Sequence, residues 1–165
     1  MPKNYDFLED LKSGRFADMV KEEIKGEILG NSKEVFNVMK PLYGKNEDKE
    51  IMYCIFMNSK NRVLSIEIVS EGTLGAAMIY PREVIKRALE VGAAAFIMVH
   101  NHPSGDPAPS PEDKTLTFRM LVAARSVGIT IHEHMIVGST FFSFADTGIM
   151  ARFNQQYEKL CSEVY

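Results

Sequence analysis

Apolar side chains recur at loosely helical spacing from residue 5 to residue 29, at Phe7, Leu8, Leu11, Phe16, Met19, Val20, Ile24 and Ile28. Gly14 interrupts that run and Gly30 ends it. Ser32 stands where it can cap a second helix over 33–42, with Val35, Phe36 and Met39 on its inner face. The polar turn Gly44-Lys45-Asn46-Glu47-Asp48 follows, and after it the period changes from helical to extended. Residues 50–58 and 62–70 read as two strands joined by Ser59-Lys60-Asn61. Gly72 and Gly75 loosen the next connection, and 76–80 reads as a further short strand.

Pro81 then takes a first helical position, where its missing N–H costs nothing. Val84, Ile85, Ala88 and Leu89 give this helix a core face, and Gly92 is its C-terminal stop. Residues 93–99 form a short buried strand that ends at His100. The stretch 100–111 holds four prolines and a glycine, which makes it a rigid loop. A third helix runs from Pro111 to about Val127 and stops at Gly128, with Leu116, Met120, Ala124 and Val127 facing inward. One turn back from Leu116, Asp113 falls on the same face at the end that meets the loop. Two more strands, 129–137 and 140–145, and a terminal helix from about Ile149 complete the pattern. The mixture of helices and strands predicts an α/β fold in one domain, without internal repeats.

Composition narrows the function classes. The chain has 165 residues, 45% hydrophobic and 25% charged, enough for a core without disulfide staples. Its two cysteines, Cys54 and Cys161, are too far apart in kind and place to suggest a disulfide framework or a Cys-rich metal site. Both fit a reducing compartment, and a cytoplasmic location is expected. No apolar run has signal-peptide character or approaches the roughly 18 residues of a membrane span, so no membrane partner is expected. The formal net charge of −3 offers no basic stripe for nucleic acid; Arg82, Lys86 and Arg87 on one helix are the nearest thing to a patch.

The chemistry lies in the stretch from His100 to Asp113. Two histidines at i and i+2, leaving the end of a strand, point to one side. Imidazole suits zinc, a carboxylate can add a third bond, and a catalytic zinc site keeps a fourth position for water. A His-x-His pair alone says little, since His132-Glu133-His134 provides a second one. Ser110-Pro111-Glu112-Asp113 is equally a good helix start, with Ser at the N-cap and an acid at N3. Both readings can hold together, because a cap gives the carboxylate a fixed direction.

The pattern His-x-His-Pro-x6-Ser-x2-Asp, met here at His100, His102, Pro103, Ser110 and Asp113, is that of the JAMM (MPN-type) metalloproteases. The wider text resembles the RadC family: Gly72-Thr73-Leu74, Tyr80-Pro81-Arg82-Glu83, His100-Asn101-His102-Pro103-Ser104-Gly105, Pro109-Ser110 and His134-Met135-Ile136-Val137-Gly138. The likeness covers about residues 31–150. It implies a mixed curved central sheet with helices on both faces, similar to JAMM and cytidine-deaminase domains. On that view 46–150 is the metal domain, 1–45 a helical segment packed on it, and 151–165 a C-terminal helix.

The resemblance also implies the parts of a hydrolase. Zinc would be held by His100, His102 and Asp113. A glutamate near the start of a strand would be the general base. Glu50, eight residues before Asn58, fits that place, with Glu47 in the polar turn as its competitor. Ser110 would donate a hydrogen bond to the oxyanion of the tetrahedral intermediate. The substrate implied is a peptide or protein amide. The RadC name implies a second reading, a DNA repair or recombination factor that binds through the metal domain. A deaminase is disfavoured, because no His-x-Glu is followed by Pro-Cys-x-x-Cys.

Two departures from the RadC pattern stand out. The stretch ahead of Glu50 is too short for the helix-hairpin-helix module of many RadC proteins plus a linking helix. Glu133 stands where the family usually has Asp before the late histidine. On simple alternation His132, His134 and Ile136 share one strand face, opposite Ile131, Glu133 and Met135, and His134 reads as a hydrogen-bonded histidine at the core edge. Ser104 reads as turn chemistry, Asn101 as a loop anchor, and Met52, Met57, Met98, Met120 and Met135 as core filling.

Overall fold

The computed structural model describes residues 13–44, 48–73 and 79–164. In chain order the elements are α1 (Arg15–Glu23), α2 (Ser32–Tyr43), β1 (Lys49–Met57), β2 (Val63–Thr73), α3 (Pro81–Glu90), β3 (Ala95–Asn101), α4 (Pro111–Ser126), β4 (Thr130–Val137), β5 (Phe141–Ser143) and α5 (Ile149–Ser162). The strands form one mixed sheet in the order β2-β1-β3-β4-β5. β1 pairs antiparallel with both β2 and β3, β3 runs parallel to β4, and β5 returns antiparallel on β4. This is the α/β fold expected of the JAMM-like likeness.

The central strands are apolar without alternation because helices cover both faces, as continuous apolar strands require. On one face Met52, Cys54, Phe56, Phe96 and Met98 pack under α3, α4 and α5 through Val84, Ala88, Met120, Leu121 and Phe153. On the other, Ile51, Tyr53, Ile55, Ile97 and Val99 pack under α2 through Val35, Met39, Leu42 and Tyr43. The five methionines named above are all buried in these two clusters.

Several boundaries differ from expectation, each for a local reason. Helix α1 stops at Glu23, before the expected Gly30, because Gly26 turns at φ 84° and Ile28 bridges to Arg62 on the β-hairpin. The first part of that expected helix, the 76–78 part of the short strand, and Glu47 lie outside the described residues. Asn31, not Ser32, caps α2: its side chain accepts the Glu34 N–H at 3.0 Å, while the Ser32 hydroxyl donates to Asp146. In α4 the buried face is Thr117, Met120, Leu121 and Ala124. Leu116 is only half-buried, and Val127 is exposed beyond the helix end.

Strand β4 also departs from simple alternation. Phe96 pairs with Ile131 but Ile97 pairs with Glu133, so His132 is an inserted bulge residue. The bulge shifts the phase, and Ile131 joins His134 and Ile136 on the α4 side instead of opposing them. His132 is left exposed, bonded to Asn61 at 2.8 Å.

Candidate metal centre

Strand β3 ends on the α4 side of the sheet, and α4 begins beside that end. In an open α/β sheet, the carboxyl end of a strand is where a ligand crevice forms. His100 follows Phe96 and Met98 on that face, and His102 continues the same alternation one step beyond the strand. The loop then turns back sharply. Gly105, at φ 85°, donates its N–H to the His102 carbonyl at 2.9 Å, a backbone conformation that favours glycine. The His102 ring is held from behind by its Nδ1, 2.8 Å from the Asp106 carbonyl, so this nitrogen donates and Nε2 is the one left to face a metal.

Asp113 enters through the start of α4. Ser110 Oγ accepts the Asp113 N–H at 3.0 Å, and Asp113 Oδ2 accepts the Ser110 N–H at 2.8 Å, a complete capping box with Pro111 in the first turn. The cap fixes the carboxylate, which faces both histidines: Oδ1 stands 3.2 Å from His100 Nε2, and Oδ2 3.3 Å from His102 Nε2. The two histidine Nε2 atoms are 3.1 Å apart.

These spacings fit a metal ion. With bonds of about 2.0–2.1 Å, the edges of a tetrahedral zinc site are about 3.3 Å long. One ligand atom each from His100, His102 and Asp113 lies within 4.8 Å of the others, and together they form a group that could hold a metal ion. The charges agree. Burial works to raise the Asp113 pKa, but the hydrogen bonds and charge of the histidines, with the Ser110 N–H, hold it well below the usual carboxylate range. The Asp113 carboxylate, more than opposing burial, raises the pKa of His102.

The metal-binding group opens into a cavity of about 860 Å³, lined also by Glu50, Met52, Tyr80, Ser110 and Arg119. This is the size of a small-molecule or peptide side-chain site. Glu50 arrives there by register. Met52 pairs with His100, so Glu50, two residues earlier on the same face, comes level with His102. Ser110 keeps its hydroxyl proton free of the cap, because its Oγ is the acceptor there.

Three further residues shape the site. Asn101 points away from its histidine neighbours, as expected, but it anchors β1, not the loop. Its Oδ1 accepts the Ile51 N–H at 2.7 Å and its Nδ2 donates to the Lys49 carbonyl at 2.9 Å. One amide thus grips the backbone on both sides of Glu50. Gly138 lies against the loop, where a Cβ would stand 2.2 Å from the Gly105 carbonyl oxygen. His134 is fully buried behind His100, its Nε2 2.8 Å from His100 Nδ1, rather than at the core edge. Burial first, and the His100 imidazole beside it, push its pKa well below the usual histidine range. Outside the site, Glu133 ties down the segment after β5 by accepting from the Ser143 hydroxyl and the Ala145 N–H.

Comparison with known proteins agrees with this geometry. The family described as RadC-like JAB domain matches residues 29–149. A UPF0758 protein of Desulforudis audaxviator is 50% identical over 96 residues, 58% of this chain and 42% of its own length. UPF0758 protein STH371 of Symbiobacterium thermophilum is 42% identical over 123 residues, 74% of this chain and 52% of its own. A UPF0758 protein of Methanosarcina mazei is 40% identical over 130 residues, 78% of this chain and 56% of its own. The chain therefore spans about half the length of the curated relatives it matches. Among the described residues no helix is long and apolar enough to cross a membrane. The matched span contains both histidines, the capped aspartate and the glutamate strand, and the chain belongs to the RadC-like JAB domain family.

Proposed function

We propose that this chain is a zinc-dependent hydrolase that cleaves a peptide or isopeptide amide bond. The observation that carries the reading is the convergence of ligand atoms from His100, His102 and Asp113, all within 4.8 Å of one another, on a cavity that Glu50 and Ser110 also line. A zinc ion held there would supply Lewis-acid polarisation of a carbonyl and would lower the pKa of a water towards about 7. Glu50, level with His102 and gripped through its flanking backbone, accepts the water's proton and delivers it to the leaving amine. The Ser110 hydroxyl, whose proton the helix cap does not use, donates to the developing oxyanion.

The test is zinc-dependent cleavage of a peptide library by the chain and two variants. His102→Ala should lose both zinc and cleavage. Glu50→Gln should lose about 10²–10⁴-fold in turnover, the usual worth of a general base, while binding zinc with unchanged stoichiometry. Absence of metal from chelator-free protein would sink the reading. Binding of duplex DNA that weakens steeply with salt, without cleavage, would support the repair-associated alternative instead.

A further inference from the structure

Behind the metal-binding group lie two polar side chains that neither the proposed reaction nor the capping of α4 uses. Thr117 and His134 are each 0% exposed, and neither reaches the cavity. Thr117 Oγ1 is 2.6 Å from the Asp113 carbonyl oxygen and 2.5 Å from His134 Nδ1. His134 Nε2 is 2.8 Å from His100 Nδ1. The His134 ring lies almost parallel to Phe144, at 22° and 4.8 Å between centroids, which fixes its plane. No buried side-chain polar atom among the described residues lacks a partner.

The proton positions along this chain follow from donor chemistry. A carbonyl oxygen only accepts, so at 2.6 Å the single hydroxyl proton of Thr117 must point at Asp113. The hydroxyl then meets His134 Nδ1 with a lone pair, and Nδ1 carries the proton. A neutral imidazole has one N–H, so His134 Nε2 is bare and accepts from His100 Nδ1–H. Of the two His100 nitrogens, Nε2 is then the one left for a metal. That nitrogen is the one that faces His102 Nε2 and Asp113 Oδ1.

We propose that His134 and Thr117 are positioning residues that lock His100 in its Nδ1–H tautomer and so turn the Nε2 lone pair to the metal. The inference rests on the reading of His100, His102 and Asp113 as a metal site. The hydroxyl that sets the tautomer also grips the backbone of Asp113, so ligands from β3 and α4 are tied together through β4. Metal-bound histidines usually donate their second N–H to a carboxylate, a carbonyl or water. Here the acceptor is a second neutral histidine, whose own tautomer is set by a threonine.

Two measurements test it. Histidine ring ¹⁵N shifts in the metal-free chain read the tautomers directly, without any metal. His134 should be Nδ1–H and His100 should carry a proton on Nδ1; finding either with a bare Nδ1 overturns the proposal. Zinc affinity, by competition with a chelator, is then compared across variants that keep side-chain volume. His134→Phe, which retains the stack on Phe144, should weaken zinc binding about 10–100-fold, the usual worth of such a partner. Thr117→Val should weaken it in the same direction and mix the His134 tautomers, and Thr117→Ser should restore both. A folded His134→Phe chain that binds zinc as tightly as the parent overturns the proposal. A parent chain that binds no zinc overturns the metal reading instead, and the ¹⁵N measurement still decides the tautomer.

Discussion

Gly138→Ala adds one methyl group at a place with no room for it. The glycine is not in a left-handed conformation, so the cost is a collision rather than a backbone preference. An added Cβ would stand 2.2 Å from the Gly105 carbonyl oxygen, 2.7 Å from its carbonyl carbon and 3.1 Å from Pro107 N, all backbone atoms. Ordinary contact begins at 3.4 Å, so the loop must retreat by about 1.2 Å. Gly138 has little freedom to move instead. Its N–H is 2.7 Å from the Thr140 carbonyl, and its own carbonyl accepts from Lys40 Nζ at 2.5 Å.

The retreat runs through the metal-binding loop. Ser139 holds the Gly105 carbonyl with its N–H at 2.8 Å and its hydroxyl at 3.0 Å, and both bonds are strained by such a shift. Asp106, next in the chain, carries the carbonyl that orients His102. Overpacking of this kind costs about 1–3 kcal/mol. Because His102 sits at the loop's end, part of that strain would be relieved, with zinc bound, by letting the ring move off it, and 1.4 kcal/mol is tenfold in affinity. Gly138→Ala should therefore lower thermal stability and weaken zinc binding about 10-fold or more, with the stability loss larger in the zinc-loaded than the metal-free chain. Chelator competition and paired thermal melts measure both. A variant that melts lower yet binds zinc as the parent does would refute the coupling of Gly138 to His102.

Asn101→Ala should leave the buried Ile51 N–H without its acceptor, at a cost of about 1–3 kcal/mol in a denaturant titration. It should also cut turnover, since Glu50 loses its grip, while zinc stoichiometry holds; unaltered turnover would contradict the role given to this amide. The metal-free chain should respond to pH in two windows. His102 has a folded pKa raised above its unfolded value of about 6.5, so its contribution with Asp113 is full below that pH and fades as pH rises through the folded value. Zinc affinity should climb over the same range, because binding releases that proton. Asp113 has the opposite sign: its contribution is present above about pH 3.9 and is lost as pH falls through its depressed folded value. Thermal melts and zinc competition on either side of neutrality check the first window, and acid melts the second.

The grouping of His100, His102 and Asp113 was legible in the sequence because it is nearly local. His100, His102, Ser110 and Asp113 belong to one strand, one loop and one helix start, and each of those units has a short-range signature: alternation, prolines and a capping box. The elements that cover the sheet were legible for the same reason. Helix α3 begins at Pro81 and α5 at Ile149, as their patterns predict.

What escaped depends on contacts between distant segments. Gly138 reads as a turn glycine until Gly105 is placed against it, 33 residues away in sequence. Thr117 was passed over for Leu116 because a hydroxyl does not mark a core face. It is buried all the same, since Asp113 and His134 satisfy it. The bulge at His132 escaped as well: counting by twos keeps His134 with Ile136, as the structure does, but puts Ile131 on the wrong face. These omissions share a cause. Apolar periodicity reports burial against an unspecified core, whereas a buried polar group is tolerated only beside particular partners, and those partners are chosen by the fold. A polar residue that the structure buries with every bond satisfied is therefore held by partners that the fold alone brings to it. In this chain Thr117 and His134 are two such residues, beside His100.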